Sequence, residues 1–213
     1  MSGLISGLVR RLKYGRPVVL VSGLPRSGTS MAMKMLEAGG LSVVQDGIRT
    51  ADEDNPKGYY EDERVKDLAE MQDKSWLRNA RGHVIKVVSS LIQYLPDENF
   101  YKVIFMRRDL DEVLASQAKM LDRRGEANQS DDDDMRSFYT QHLDKVQFQM
   151  RFRSYFDVLY MNYTDVLENP RREAERINAF LGQNLDVDAM SAVADRSLYR
   201  NRKESIAQST EPR

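Results

Sequence analysis

The segment with the clearest capacity for chemistry is Gly23-Leu24-Pro25-Arg26-Ser27-Gly28-Thr29-Ser30. It has the G-x-x-x-x-G frame of a phosphate-binding loop. It follows the β-branched apolar run Val18-Val19-Leu20-Val21-Ser22 and precedes residues at helical spacing, Met31, Ala32, Met35 and Leu36. Glycines let the backbone approach an anion, and amides at a helix start point toward it. The lysine that follows the second glycine in nucleotide triphosphatases is absent. Thr29 stands there, and the basic residue is Arg26, inside the loop. No apolar strand clearly ends in an aspartate suited to magnesium, Asp46 after Val44 being the nearest.

This loop needs a strand before it and a helix after it, and the rest of the chain repeats that alternation. Strands are expected at Val18–Ser22, Leu41–Val44, Val84–Val88, Tyr101–Met106 and Val158–Met161. Helices are expected after the loop up to Gly39-Gly40, over about 61–78, from Leu110 to Leu121, over about 135–152, and from Asn169-Pro170 to Gly182. Asp109, with Glu112 three residues on, reads as a capping box for the third of these. The expected fold is therefore α/β: a three-layer αβα arrangement with a mainly parallel central sheet and a P-loop nucleotide-binding topology. Ligands in such folds bind beyond the carboxyl ends of the strands.

Composition narrows the function. The 213 residues suit a single domain over 1–213, with a lead-in helix at 1–15, a flexible acidic loop at 122–134 and a polar tail at 201–213. Lys+Arg total 32 against 33 Asp+Glu, a net charge of -1, so no general nucleic-acid binder is expected. The absence of cysteine excludes thiolate metal sites and cysteine nucleophiles, and two histidines argue against a multi-histidine metal site. No metal site is expected. No run approaches the roughly 20 apolar residues of a membrane span. Leu4, Ile5, Leu8, Val9 and Leu12 give the lead-in an apolar face for the domain edge, too short and too early for a signal peptide. A cytoplasmic protein without stable membrane insertion is expected.

The loop Leu24-Pro25-Arg26-Ser27-Gly28-Thr29-Ser30 resembles the 5'-phosphosulfate loop of sulfotransferases, P-[KR]-S-G-T-[ST]. Those enzymes use 3'-phosphoadenosine 5'-phosphosulfate (PAPS). The resemblance implies that Pro25, Arg26, Ser27, Gly28, Thr29 and Ser30 hold the donor. Arg108, after a strand, and Ser116, eight residues on, match the family's pair for the 3'-phosphate. A guanidinium forks onto a phosphate, and a hydroxyl adds one more bond. Leu159 to Val166, with Asn169-Pro170 and Phe180-Leu181-Gly182, is similar to the family's Y-E-D-L…P…FLG stretch, which implies Tyr163 near the adenine. Arg202-Lys203 partly matches a C-terminal clamp on the same phosphate.

The chain also departs from the family's cytosolic branch. Lys86-Val87-Val88 stands where that branch has Lys-Thr-His. His83 precedes the strand and His142 falls mid-helix, so neither replaces that histidine. The resemblance then points to the branches with a carboxylate base. Asp46, about twenty residues past the loop, and Glu61, in Asn55-Pro56-Lys57-Gly58-Tyr59-Tyr60-Glu61, are the two candidates. The implied activity is in-line transfer of a sulfuryl group from PAPS to a small-molecule or carbohydrate hydroxyl, leaving adenosine 3',5'-bisphosphate, with Arg26 acting on the transferring group. The alternatives are a P-loop phosphotransferase or nucleotide hydrolase, and a catalytically silent nucleotide-binding module.

Overall fold

The structure is a computed structural model that describes residues 10, 12–46, 60–123, 125, 131–182 and 184–194. The strands are β1 (Val18–Gly23), β2 (Val43–Val44), β3 (Val84–Lys86), β4 (Tyr101–Arg107) and β5 (Phe156–Asn162). The helices are α1 (Thr29–Ala38), α2 (Glu63–Lys66), α3 (Leu110–Arg123), α4 (Asp132–Phe152), α5 (Tyr163–Glu168), α6 (Pro170–Leu181) and α7 (Val187–Ala192). All four strand pairings are parallel, in the order β2-β3-β1-β4-β5.

β1 sits at the centre because both of its faces are apolar. Val19 and Val21 pack on one side with Met33 and Leu36 of α1 and Ile177 of α6. Val18 and Leu20 pack on the other with Val146 and Met150 of α4. These alternating faces produce the three-layer α/β fold expected from the sequence. Leu20 is fully buried, and truncating such a residue to alanine costs about 2–5 kcal/mol. β1 registers Val21 against Lys86 of β3 and Gly23 against Met106 of β4. The segments after β1, β3 and β4 therefore emerge side by side at one edge of the sheet.

Several elements differ from the sequence expectation. No single helix covers 61–78. α2 ends at Lys66, and short 3-10 turns follow at Asp67–Ala69 and Ser75–Ala80. Asp73 breaks the run, because its carboxylate accepts the Ser75 N–H at 2.8 Å and starts a new turn. The acidic 122–134 stretch is not a loop throughout: Asp122 and Arg123 complete α3, Asp131 caps α4, and Asp132 to Asp134 form its first turn. Carboxylates there complement the positive end of the helix. Helix α7 has no counterpart in the sequence expectation, because six residues are too few to show periodicity; Asp186 caps it by accepting the Ala189 N–H. Its Met190 is fully buried against Gly39, where an added Cβ would come within 2.7 Å of Met190 Cγ. Most of the lead-in and all of the tail from 195 lie outside the described residues, Arg202 included.

Candidate functional site

The loop after β1 needs both of its glycines. Gly23 has φ +151, and an added Cβ would lie 2.6 Å from the Met106 carbonyl oxygen. Gly28 has φ +99, and an added Cβ would lie 2.5 Å from Cδ2 of Tyr163. Between them the loop is tied internally: the Ser27 hydroxyl donates to the Leu24 carbonyl at 2.7 Å. Arg26 takes a left-handed conformation, φ +68, in a residue that is not glycine. Such backbone persists only where its surroundings hold it, and it concentrates at functional sites.

Arg26 is held from two sides. Its Nε donates to Ser116 Oγ of α3 at 3.0 Å. Its carbonyl accepts from Nη1 of Arg108 at 3.1 Å. Arg108 also donates through Nε to Glu112 Oε2 at 2.9 Å, and its guanidinium lies 4.5 Å from the centroid of the Tyr163 ring. The side chains of Arg108 and Glu112 are only 8% and 2% exposed, so this is a buried ion pair within one turn of the chain. Breaking such a pair from one side leaves an uncompensated buried charge. Glu112, read from sequence as half of a capping box, is therefore the counter-ion of Arg108. Asp109 does the capping, accepting the Asp111 N–H at 2.9 Å. The i,i+4 spacing of Arg108 and Glu112 was the available signal.

The neighbouring Arg107 goes elsewhere. Its guanidinium stacks 3.9 Å from the Tyr160 centroid and donates to Gln147 at 2.8 Å. Tyr163 is buried and opens α5, pressed against Gly28 and under Arg108. The structure thus gathers Arg26, Ser27, Gly28, Arg108, Ser116 and Tyr163 around one loop.

The two candidate acids meet in a second cluster, at the ends of β2 and β3. The Asp46 N–H donates to the Glu61 carbonyl at 3.2 Å. The Asp46 carboxylate is exposed and accepts the Glu63 N–H at 2.6 Å. The Glu61 carboxylate is 23% exposed and pairs with Lys86 Nζ at 3.2 Å. β3, which carries Lys86, lies directly beside β1, so Glu61 is one strand away from the loop's own strand.

The histidines separate. His83 precedes β3 at the opposite edge, where its carbonyl accepts the Val19 N–H at 3.0 Å. His142 Nε2 lies 2.8 Å from Ser89 Oγ, in the turn that follows β3. Burial, with a smaller contribution from Lys145, holds its pKa below the ordinary 6.5, so the ring is neutral at pH 7. A cleft of about 550 Å³ between α4 and β5, lined by Phe148, Phe152, Asp157 and Tyr160, contains none of these site residues. Among the described residues, no cluster of His, Cys, Asp or Glu could hold a metal ion, and no helix is long and apolar enough to cross a membrane.

A central parallel strand, a glycine-framed loop, a helix opening from it and converging arginines define an α/β protein of the phosphate-loop class. Within that class the chain belongs to the sulfotransferase domain family, whose model matches residues 16–212. No curated protein matches the sequence. Among solved structures it is similar to retinol dehydratase in complex with androsterone and inactive cofactor PAP, at 19% identity and a TM-score of 0.49. That match covers 87% of this chain, and the chain spans about 65% of the length of that protein.

Proposed function

We propose that this protein, as a single cytoplasmic domain, transfers a sulfuryl group from PAPS to the hydroxyl of a small-molecule or carbohydrate acceptor and releases adenosine 3',5'-bisphosphate. The observation that carries this reading is the convergence of Arg26, Arg108 and Ser116 on a loop whose two glycines leave no room for a Cβ. Backbone amides, a hydroxyl and two guanidinium groups at the carboxyl edge fit a nucleotide with anionic groups at both its 3' and 5' positions. Pro25 to Ser30 receive its sulfated end. Arg108 and Ser116, joined by Arg202, receive its 3'-phosphate, and Tyr163 borders the adenosine.

Glu61 is the carboxylate suited to take the acceptor proton. It is partly shielded and held by Lys86, whereas Asp46 is exposed and spends one oxygen on the Glu63 N–H. As Glu61 takes the proton, the acceptor oxygen bonds to sulfur and the bond from sulfur to the bridging oxygen breaks. Arg26 and the loop amides stabilise the charge left on the departing phosphate, as donors already in place. The sulfuryl group carries less charge than a phosphoryl group, so the chemistry calls for no metal.

The test compares thermal shifts with adenosine 3',5'-bisphosphate and with ATP plus magnesium, followed by a screen of hydroxyl compounds with labelled PAPS. A ligand that binds only the native state raises its stability, by about 2.7 kcal/mol at a hundredfold excess over Kd. The bisphosphate should raise Tm without magnesium. Stabilisation by ATP and magnesium alone would replace this reading with phosphoryl transfer. Tight donor binding with no transfer to any hydroxyl would point to the silent binding module.

A further inference from the structure

Among the described residues, two that are not glycine have left-handed backbone. One is Arg26 in the phosphate loop, and the other is Tyr60, φ +53. A bulky aromatic residue rarely adopts this conformation unless its surroundings impose it. Tyr60 is 9% exposed, with its ring in the apolar cluster that includes Met33, Leu36 and Val84. Its hydroxyl donates to Glu37 Oε2 at 2.7 Å. Glu37 belongs to α1, the helix that opens from the phosphate loop.

The residues that follow Tyr60 are tied to three other parts of the fold. The Glu61 carbonyl is bonded by the Asp46 N–H beyond β2, and the Glu61 carboxylate by Lys86 of β3. Asp62 is 4% exposed, accepts the Arg64 N–H at 3.1 Å and holds the Arg64 guanidinium. The Glu63 N–H closes the set on Asp46. A strained residue clamped to α1 therefore stands immediately before the carboxylate that pairs with Lys86.

We infer that Tyr60 is a positioning residue: its hydrogen bond to Glu37 fixes the left-handed turn that delivers Glu61 to the functional edge, and so sets the place of the base relative to the phosphate loop. This inference rests on the proposed transfer reaction with Glu61 as base. Helix α1 is the physical link, since Thr29 at its start belongs to the loop and Glu37, near its end, holds Tyr60. Misplacing a reacting group by about 1 Å can cost roughly a hundredfold in rate without loss of binding.

The experiment uses the full chain and five variants: Tyr60→Phe, Glu37→Ala, Glu37→Gln, Glu61→Gln and the double change Tyr60→Phe with Glu61→Gln. Turnover is read as release of adenosine 3',5'-bisphosphate from PAPS, with the best hydroxyl compound from the screen or, failing one, water as acceptor. Binding of adenosine 3',5'-bisphosphate is measured on each variant by calorimetry, and rates are given per binding-competent site. Tyr60→Phe and Glu37→Ala should each lower kcat about 10- to 100-fold while Kd and the KM for PAPS stay within twofold. Glu37→Gln retains an oxygen for the Tyr60 hydroxyl and should recover most of the rate. Combined with Glu61→Gln, the Tyr60→Phe change should add nothing, because it acts through that carboxylate.

Wild-type kcat in both Tyr60→Phe and Glu37→Ala would overturn the inference, as would a full additional loss on top of Glu61→Gln. If Tyr60→Phe does not fold, Glu37→Ala tests the same bond from the helix side. If Glu61→Gln keeps full activity, the base assignment fails, and the inference with it. The two failures are thus distinguishable.

Discussion

Arg26 Nε donates to Ser116 Oγ at 3.0 Å, joining two residues 90 positions apart in the chain. One comes from the loop after the central strand and the other from the second turn of α3. The bond exists because β1 and β4 are neighbours, with Gly23 in register with Met106. It places the residue proposed to act on the transferring group in contact with a residue proposed to hold the far phosphate. On that proposal, a donor with both groups inserts among these polar atoms and couples the two ends of its site.

Ser116→Ala should weaken adenosine 3',5'-bisphosphate far more than adenosine 5'-monophosphate. Arg108→Ala should do the same, at a loss of about 1.5–3 kcal/mol for a charge-assisted contact. Removing Arg108 alone takes from Glu112, whose side chain is 2% exposed, the guanidinium it pairs with. A parallel measurement on the double variant with Glu112→Ala removes both halves of this ion pair and separates loss of the phosphate contact from loss of the pair. Calorimetry with the two nucleotides decides, and equal losses for both would remove these residues from the 3'-phosphate.

Arg26→Ala should lower the transfer rate more than it weakens the desulfated product. Removing one preorganised donor at a site of developing charge costs roughly 10²–10³ in kcat. Single-turnover rates set against product Kd separate the two effects. A loss confined to product affinity would reduce Arg26 to an anchor.

Gly28→Ala should be among the most damaging single changes in the chain. The position has φ +99, and its new Cβ would meet the Tyr163 ring at 2.5 Å. Left-handed backbone costs an alanine about 1–2 kcal/mol, and the clash adds about 1–3 kcal/mol. Denaturant melts would show the lost stability, and thermal shifts would show weakened nucleotide binding. A variant with wild-type stability and binding would mean that the loop relaxes freely around Tyr163.

His142 should make the fold acid-sensitive. Burial holds its pKa below 6.5 in the native state, so the unfolded chain binds the extra proton more readily. Its contribution to stability is present above pH 6.5 and is lost as pH falls through the lower native value. Tm measured from pH 7.5 to 5 should fall more steeply for the wild type than for His142→Gln, which keeps a partner for Ser89 and cannot charge. Parallel curves would refute this.

The phosphate loop was legible because its requirements are local. Two glycines, a preceding apolar run and a following helical run lie within 20 consecutive residues, and backbone sterics alone give them meaning. The strands were legible for the same reason, and so was the close of α6, where Gly182 takes φ +63. Periodicity failed wherever a side chain captured a nearby backbone group. Asp73 interrupts the expected helix over 61–78, and Asp131 turns part of an expected loop into the start of α4.

What only the tertiary structure decided is which side chains meet. The order β2-β3-β1-β4-β5 brings β3 and β4 to either side of β1, though neither follows it in the chain. From that order come the contact of Arg26 with Ser116, the pairing of Glu61 with Lys86 and the clamp of Tyr60 on Glu37. Asp46 and Glu61 were equivalent acids in the sequence. They differ in space because Asp46, just beyond β2, is exposed and accepts the Glu63 N–H, while Glu61 is partly shielded and pairs with Lys86. Local backbone chemistry acts over a few residues, whereas a side chain's partner depends on the packing of the whole sheet.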